Sequence, residues 1–311
     1  MMRKIVGIGE AILDIIFQND QPHAAVPGGS TFNALVSLSR LGIPVTFISE
    51  VGNDRVGKLI TTFMEANGLP TDYVDRFPDG KSPISLAFLS EHSDANYLFY
   101  MNYPQERLNV PFPEINEDDI FIFGSYYSLN PLLRKRMVEF LNYARERKAI
   151  LYYDPNFRNA HAHEAIRLTP TILENFEYAD IIRGSDEDFF NIFGKTDMDK
   201  VYTEHIHFYC DRFIATLGSK GVNLYCKGQS RHYDAPPIRS VSTIGAGDNF
   251  NAGILFGLLK QGIRRRDLEH IDEQTWEQII RCGMDLASEV CQSYDNYISK
   301  EFANAYVSSL K

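Results

Sequence analysis

An α/β fold, with helices on both faces of a mainly parallel sheet and a small second sheet attached, is predicted by three observations. From Asp119 onward, short apolar runs alternate with helix-length segments, the pattern of parallel strands joined by crossover helices. Two glycine-rich turns, Gly28–Gly29 and Gly245–Gly247, each open directly into a helical pattern. Two further strand-like runs, Pro83–Leu89 and Asn96–Asn102, stand outside the alternation, joined by the turn EHSDA. Their apolar face is too large for a lone hairpin, so it needs the main body or another subunit as a partner surface.

Lys4–Gly9 reads as a buried first strand, and Glu10–Phe17 continues extended with a lone acid, Asp14, in an apolar run. Asp14 fits either a solvated edge position or a carboxylate that accepts hydroxyl hydrogen bonds in a cleft. Gly7 and Gly9 supply only two glycines of a dinucleotide fingerprint, too few to support one. In Pro27–Gly42, Gly28–Gly29 form a turn, Ser30 or Thr31 is the expected N-cap, and Leu35, Leu38 and Leu41 form a helical stripe that Gly42 closes. A Gly-Gly turn lets backbone approach a ligand, and Asn33 lies one helical turn away. Gly52–Leu59 is one residue short of a phosphate loop, with Leu59 where the Mg²⁺-binding Ser or Thr belongs, and reads as a loop entering a helix.

The regular half runs strand Asp119–Gly124, helix Pro131–Arg147, strand Ala149–Asp154, helix His163–Asn175, strand Ala179–Arg183 and helix Asp186–Phe193. Another helix, the strand Phe213–Leu217 and the turn Gly218–Gly221 follow, and Gln274–Ser293 is expected as the last long helix. Asp154–Asn156, Ser185–Asp188, Thr216–Gly218 and Gly245–Asp248 each follow a strand, so one sheet edge collects them, where α/β sheets bind ligands.

The most informative stretch is Val241–Leu255, VSTIGAGDNFNAGIL. Phe250, Ile254 and Leu258 share one helical face. The bare amides of Gly245, Ala246 and Gly247 at the helix start form an anion receptor. A carboxylate there repels an anion, so Asp248 makes sense facing a hydroxyl that must lose a proton. The competing reading is a glycine turn with Asp as a helix cap.

The 311 residues are 44% apolar and 23% charged, as in a folded globule, and the net charge of −10 argues against nucleic acid or an anionic membrane as partner. Cys210, Cys226, Cys282 and Cys291 show no CxxC spacing and read as reduced cysteines of a cytoplasmic protein. No signal-peptide core or membrane-length apolar run is present. The pairs His161/His163 and His205/His207 read as surface histidines rather than metal ligands.

Three separated segments match one pattern. Gly28–Gly29 with Asn33 resembles the first signature of the ribokinase-like (PfkB) carbohydrate kinases, and Thr243–Asp248 (TIGAGD) resembles their second. Asp154–Arg158 (DPNFR) and Thr216–Gly221 (TLGSKG) lie between them in family order, and Gly9–Asp14 (GEAILD) is similar to the start of fructokinases. The resemblance spans roughly residues 4–300. It implies one ribokinase-like domain over 1–311, a three-layer α/β/α body with a lid built from residues near 11–27 and 81–105, often a dimer interface. It also implies transfer of the ATP γ-phosphoryl group to a sugar hydroxyl with Mg²⁺. Asp248 would be the base, and Gly245, Ala246 and Gly247 the anion hole. Asp14, Gly28, Gly29 and Asn33 would hold the sugar, and Thr216, Gly218, Gly221 and Ser185 the nucleotide. A helix start is expected to keep Asp248 ionised, near or below the usual carboxylate value of about 3.9.

Four departures qualify this. Ser242 replaces an acid that helps hold a monovalent cation, and Tyr294–Asn296 stands where the family has Gly-Ala, so little potassium dependence is expected. Ser185-Asp186-Glu187-Asp188 replaces an Asn-x-x-Glu element, leaving Asp188 as the candidate metal-supporting carboxylate. Met101-Asn102 follows Phe99-Tyr100 where fructokinase-like and ketodeoxygluconate-kinase-like members often place an Arg; an acidic sugar would want that Arg for its carboxylate, so its absence favours a neutral sugar. Fructose is the first expectation. Ribose, another hexose, ketodeoxygluconate and a nucleoside are alternatives, as is a catalytically weak regulatory binding protein.

Overall fold

The computed structural model describes residues 3–89 and 95–310. The first half contains β1 (Ile5–Ile8), β2 (Ile12–Gln18), β3 (Gln21–Gly28), α1 (Ser30–Arg40), β4 (Val45–Gly52), α2 (Arg55–Ala66), β5 (Val74–Phe77), β6 (Lys81–Leu89) and β7 (Ala95–Asn102). Then follow β8 (Ile120–Gly124), α3 (Ser125–Leu129), α4 (Arg134–Glu146), β9 (Ile150–Asp154), α5 (Ala165–Tyr178), β10 (Ile181–Ser185), α6 (Asp186–Phe193) and α7 (Met198–Val201). The chain closes with β11 (Arg212–Thr216), β12 (Val222–Cys226), β13 (Gln229–Tyr233), α8 (Ala246–Lys260), α9 (Glu273–Val290) and α10 (Lys300–Ser309).

Nine strands form the main sheet in the order β13-β12-β11-β10-β9-β8-β1-β4-β5. Its pairs are parallel from β5 to β11, and β12 and β13 close one edge antiparallel. Side chains alternate between two cores because successive strand residues point to opposite faces. Ile120, Ile122, Ile150 and Tyr152 join α1, α8 and α9 on one face; Phe121, Phe123, Leu151 and Tyr153 join α4 and α5 on the other. The three-layer body follows from strands that are apolar on both faces. A second sheet, β3-β2-β6-β7, is built from residues within the two expected lid segments. The turn expected over 91–95 lies mostly outside the described residues.

Several expectations are corrected. The cap of α1 is Gly29, not Ser30 or Thr31, because Gly29 has φ 125° and ψ 144°, which leaves Ser30 as the first helical residue. Residues expected as one helix over Pro131–Arg147 divide into a turn and α4. The His163–Asn175 helix begins at Ala165 after a 3₁₀ turn over Asn159–Glu164 and runs to Tyr178. The expected last helix stops at Val290, and α10 follows it. The strands β3, β5, β12 and β13 were not anticipated, since they are short or carry exposed polar residues. Three of the four histidines are not free surface groups: His161 stacks on Tyr126 with centroids 3.9 Å apart, His205 stacks on Phe193 at 4.0 Å, and His207 Nδ1 lies 3.1 Å from the Tyr202 hydroxyl. Gly52–Leu59 is indeed a strand end entering a helix, with Asp54 capping α2. All four cysteines are free. Among the described residues, no helix is long and apolar enough to cross a membrane.

Candidate active site

Asp248 sits in the first turn of α8, whose N-terminal cap is Gly245 at φ 78°. Glycine is required there, since a Cβ would also lie 2.8 Å from the Asn296 carbonyl oxygen. The Asp248 carboxylate is 5% exposed and accepts a 2.8 Å hydrogen bond from Asn33 Nδ2 on α1. Burial pushes its pKa up, against the opposing pull of Arg158, Asn33, Ser30 and Arg183. The direction is thus upward, opposite to what its place at a helix start alone suggests, with loss of water the largest cause. Freed from capping, Ser30 hydrogen bonds toward Asp248 instead.

Beside this pair lies Asp14 of β2, buried and hydrogen-bonded by Ser85 of β6. Asp14 is buried, so the solvated-edge reading does not hold. Gly28 must be bare, because a Cβ there would lie 2.5 Å from Asp14 Oδ2. Two buried amide oxygens, Asn33 Oδ1 and Asn296 Oδ1, have no hydrogen-bond partner. Asn296 also braces the head of α8, its carbonyl accepting from Asn249 Nδ2 at 2.8 Å.

Burial, reinforced by the charge of Asp248, pushes Asp14 up to about 6 from an ordinary 3.8. A raised folded-state value means the folded protein binds the extra proton between those two values, so stability falls as pH rises through about 6. Asp14→Asn, which keeps the Ser85 contact, is expected to stabilise the ligand-free protein by about 1–3 kcal/mol at pH 8 and by less at pH 5. Urea titrations at the two pH values check this; an equal gain at both would remove the linkage.

At the carboxyl edge of the sheet, Asp154 ends β9, Ser185 ends β10 and Thr216 ends β11. Asp154 Oδ2 accepts from Asn251 Nδ2 at 2.6 Å and from Arg183 Nη1 at 3.1 Å. Arg183 Nη2 donates to Thr216 Oγ1 at 2.7 Å. Gly218 and Gly221 turn the chain after β11 at φ 58° and 103°. Asp188 forms a capping box with Ser185: its Oδ2 accepts from Ser185 N and Oγ, both at 2.7 Å. Among the described residues, no group of three or more His, Cys, Asp and Glu side chains is arranged to hold a metal. A divalent ion here would depend on ligands from substrate and water.

The structure thus brings Asp14, Gly28, Asn33 and Asp248 together through direct contacts, with Gly29 heading α1, Gly245 heading α8, and Ser185, Asp188, Thr216, Gly218 and Gly221 along the strand ends of the same sheet edge. Ser85, Arg183 and Asn296 were missed. Arg183 had a signal, a charge inside the apolar strand β10, whereas Ser85 and Asn296 became visible only through packing.

Two buried carboxylates beside a helix-borne glycine turn, at the carboxyl edge of a three-layer α/β body, fit the ribokinase-like fold, whose solved members include sugar kinases. The chain matches the pfkB family carbohydrate kinase pattern over residues 2–302, and it belongs to that family. It is similar to probable fructokinase-4 of Arabidopsis thaliana, 26% identical and covering 90% of this chain and 89% of the relative. It is also similar to the fructokinase of Escherichia coli, at 25% identity with 91% and 92% covered. A double mutant of the fructokinase from Vibrio cholerae, solved with fructose, ADP and potassium, shares the fold at a TM-score of 0.85, with 18% identity and 98% of each chain covered. The aminoimidazole riboside kinase of Salmonella enterica, solved with aminoimidazole riboside and an ATP analogue, gives 0.82 at 21% identity, with 98% and 100% covered. The protein is a carbohydrate kinase, acting on a sugar hydroxyl.

Proposed function

We propose that the protein transfers the γ-phosphoryl group of ATP to a hydroxyl of a small neutral sugar, fructose first, with Asp248 as general base. The observation that carries this reading is the cluster of buried acceptors without protons of their own to share: Asp14, Asn33 Oδ1 and Asn296 Oδ1, grouped beside Asp248. Such a set is costly unless a ligand rich in hydroxyl donors fills it. Asp248 takes the proton of one hydroxyl, whose oxygen bonds to the γ-phosphorus as the bridging bond to ADP breaks. The amides of Gly245 and Gly247 would face the charge on the transferred group; the Ala246 amide, expected to join them, donates instead to the Thr243 carbonyl at 3.2 Å. Thr216, Gly218, Gly221 and Ser185 would line the nucleotide. Fructokinase relatives support the substrate, and the nucleotides bound to two structural neighbours support ATP. When bound, Mg²⁺ would neutralise phosphate charge. The residues suit an ion held chiefly by phosphates and water, with Asp188 as a supporting carboxylate.

An ADP-release assay with Mg-ATP against fructose, ribose, glucose, tagatose, ketodeoxygluconate and adenosine tests this. Fructose is expected to give the largest kcat/KM, with similar rates in sodium and potassium buffers. Preference for ketodeoxygluconate or adenosine would overturn the neutral-sugar assignment. Silence across the panel with ATP still bound would favour the regulatory reading, which Ser242 motivates.

A further inference from the structure

Arg183 is a buried charge whose surroundings tie it to the anion hole rather than to the core. It leaves β10 and lies under the head of α8, where a Cβ on Gly247 would be 3.1 Å from both of its terminal nitrogens. Gly247 therefore leaves the guanidinium packed directly against the bare backbone of the helix start. One nitrogen binds Asp154 and another binds Thr216 Oγ1, while Nε is buried without a partner. The pairing with Asp154 explains how the charge survives burial. It does not explain why a cation stands between the strand end holding Thr216 and the turn Gly245–Gly247. A net charge of −10 makes local positive potential necessary wherever a polyphosphate is to bind.

We propose that Arg183 is a positioning residue for phosphoryl transfer: it places a fixed positive charge behind the Gly247 amide and holds the Thr216 hydroxyl toward the nucleotide. This rests on the kinase reading above and deepens it. The planar guanidinium suits the task because one fork can bind Asp154 and Thr216 together while its charge stays in place. In a buried site such a charge acts on the transferred group with little screening by water.

Removing Arg183 alone would strand Asp154, so a simple loss could reflect misfolding. The test compares Asp154→Asn, Arg183→Lys and the double variant Arg183→Met/Asp154→Asn, which removes both members of the hydrogen-bonded ion pair together. Folding is followed by circular dichroism and thermal melting, and turnover by ADP release with the sugar the wild type prefers. Asp154→Asn keeps the guanidinium and is expected to retain turnover within about tenfold. Arg183→Lys keeps the charge and is expected to recover part of the rate. The folded double variant is expected to lose about 10²-fold in kcat, with KM for the sugar changed little. Its affinity for ADP with aluminium fluoride, which mimics the transferred group, should fall more than its affinity for ADP alone. A folded double variant that turns over like the wild type would overturn the proposal, and so would a loss of activity in Asp154→Asn as large as in the double. Wild-type turnover checks the kinase reading separately, and the aluminium-fluoride comparison tests Arg183 even if the preferred sugar is missing from the panel.

Discussion

Asp248→Asn is expected to lower kcat by about 10²–10⁴-fold while ATP binds within about threefold of the wild type. The substitution preserves the shape of a side chain buried at the head of α8, so the fold should survive it. It removes the carboxylate carried by the first turn of α8, the proposed proton acceptor. On the proposed reading the nucleotide contacts Thr216, Gly218 and Gly221 at and after β11, a different element from α8 that carries Asp248, so ATP affinity is expected to be spared. The same residue sets a pH dependence. Burial raises the Asp248 pKa, so the base becomes protonated, and kcat/KM falls, at a higher pH than for an ordinary carboxylate. Asp248→Asn should flatten that acidic limb as well as lower its plateau. Wild-type turnover in the variant would remove Asp248 from the role of base.

Gly29→Ala is expected to cost about 2–4 kcal/mol of stability. Two penalties coincide there. The residue has φ 125° and ψ 144°, a conformation that side chains rarely adopt. Its added Cβ would also collide with the Glu10 carbonyl oxygen in the corner between β1 and β2. Relief requires moving α1 away from that corner, which would pull Asn33 from Asp248. Gly42→Ala is the control: φ is 79° but nothing lies within 4 Å of the new atom, so only the backbone penalty of about 1 kcal/mol should appear. Denaturant midpoints at constant slope measure both. If Gly29→Ala costs no more than Gly42→Ala, the collision is absent and the tight corner is misread.

Much of this was legible in the chain. Asp119 onward announces the parallel sheet because each strand feeds both cores and so reads as a continuous apolar run, as in Ile120–Gly124 and Ile150–Asp154. The glycines around Asp248 and before Asn33 were legible because unusual backbone angles and close contacts leave only one residue type. Capping at α1 was misassigned because Gly29 needs no side-chain hydrogen bond to start the helix, which frees Ser30 for the site. The edge strand β13 escaped notice because four of its five residues are solvent-exposed and show no apolar alternation.

Fold class, family and the residues that local chemistry demands could be read along the chain: bare glycines at helix starts, acids in strands, and polar groups at strand ends. How those residues act on one another depends on the packing of distant elements. Asn33 and Asp248 are 215 residues apart yet hydrogen-bonded, and Arg183 and Gly247 meet across the sheet edge. Burial, which no local pattern encodes, raised the Asp248 pKa that its helix position alone would lower. The physical reason is range: backbone geometry and periodicity act over a few residues, whereas desolvation and charge pairing depend on every element that closes over the site.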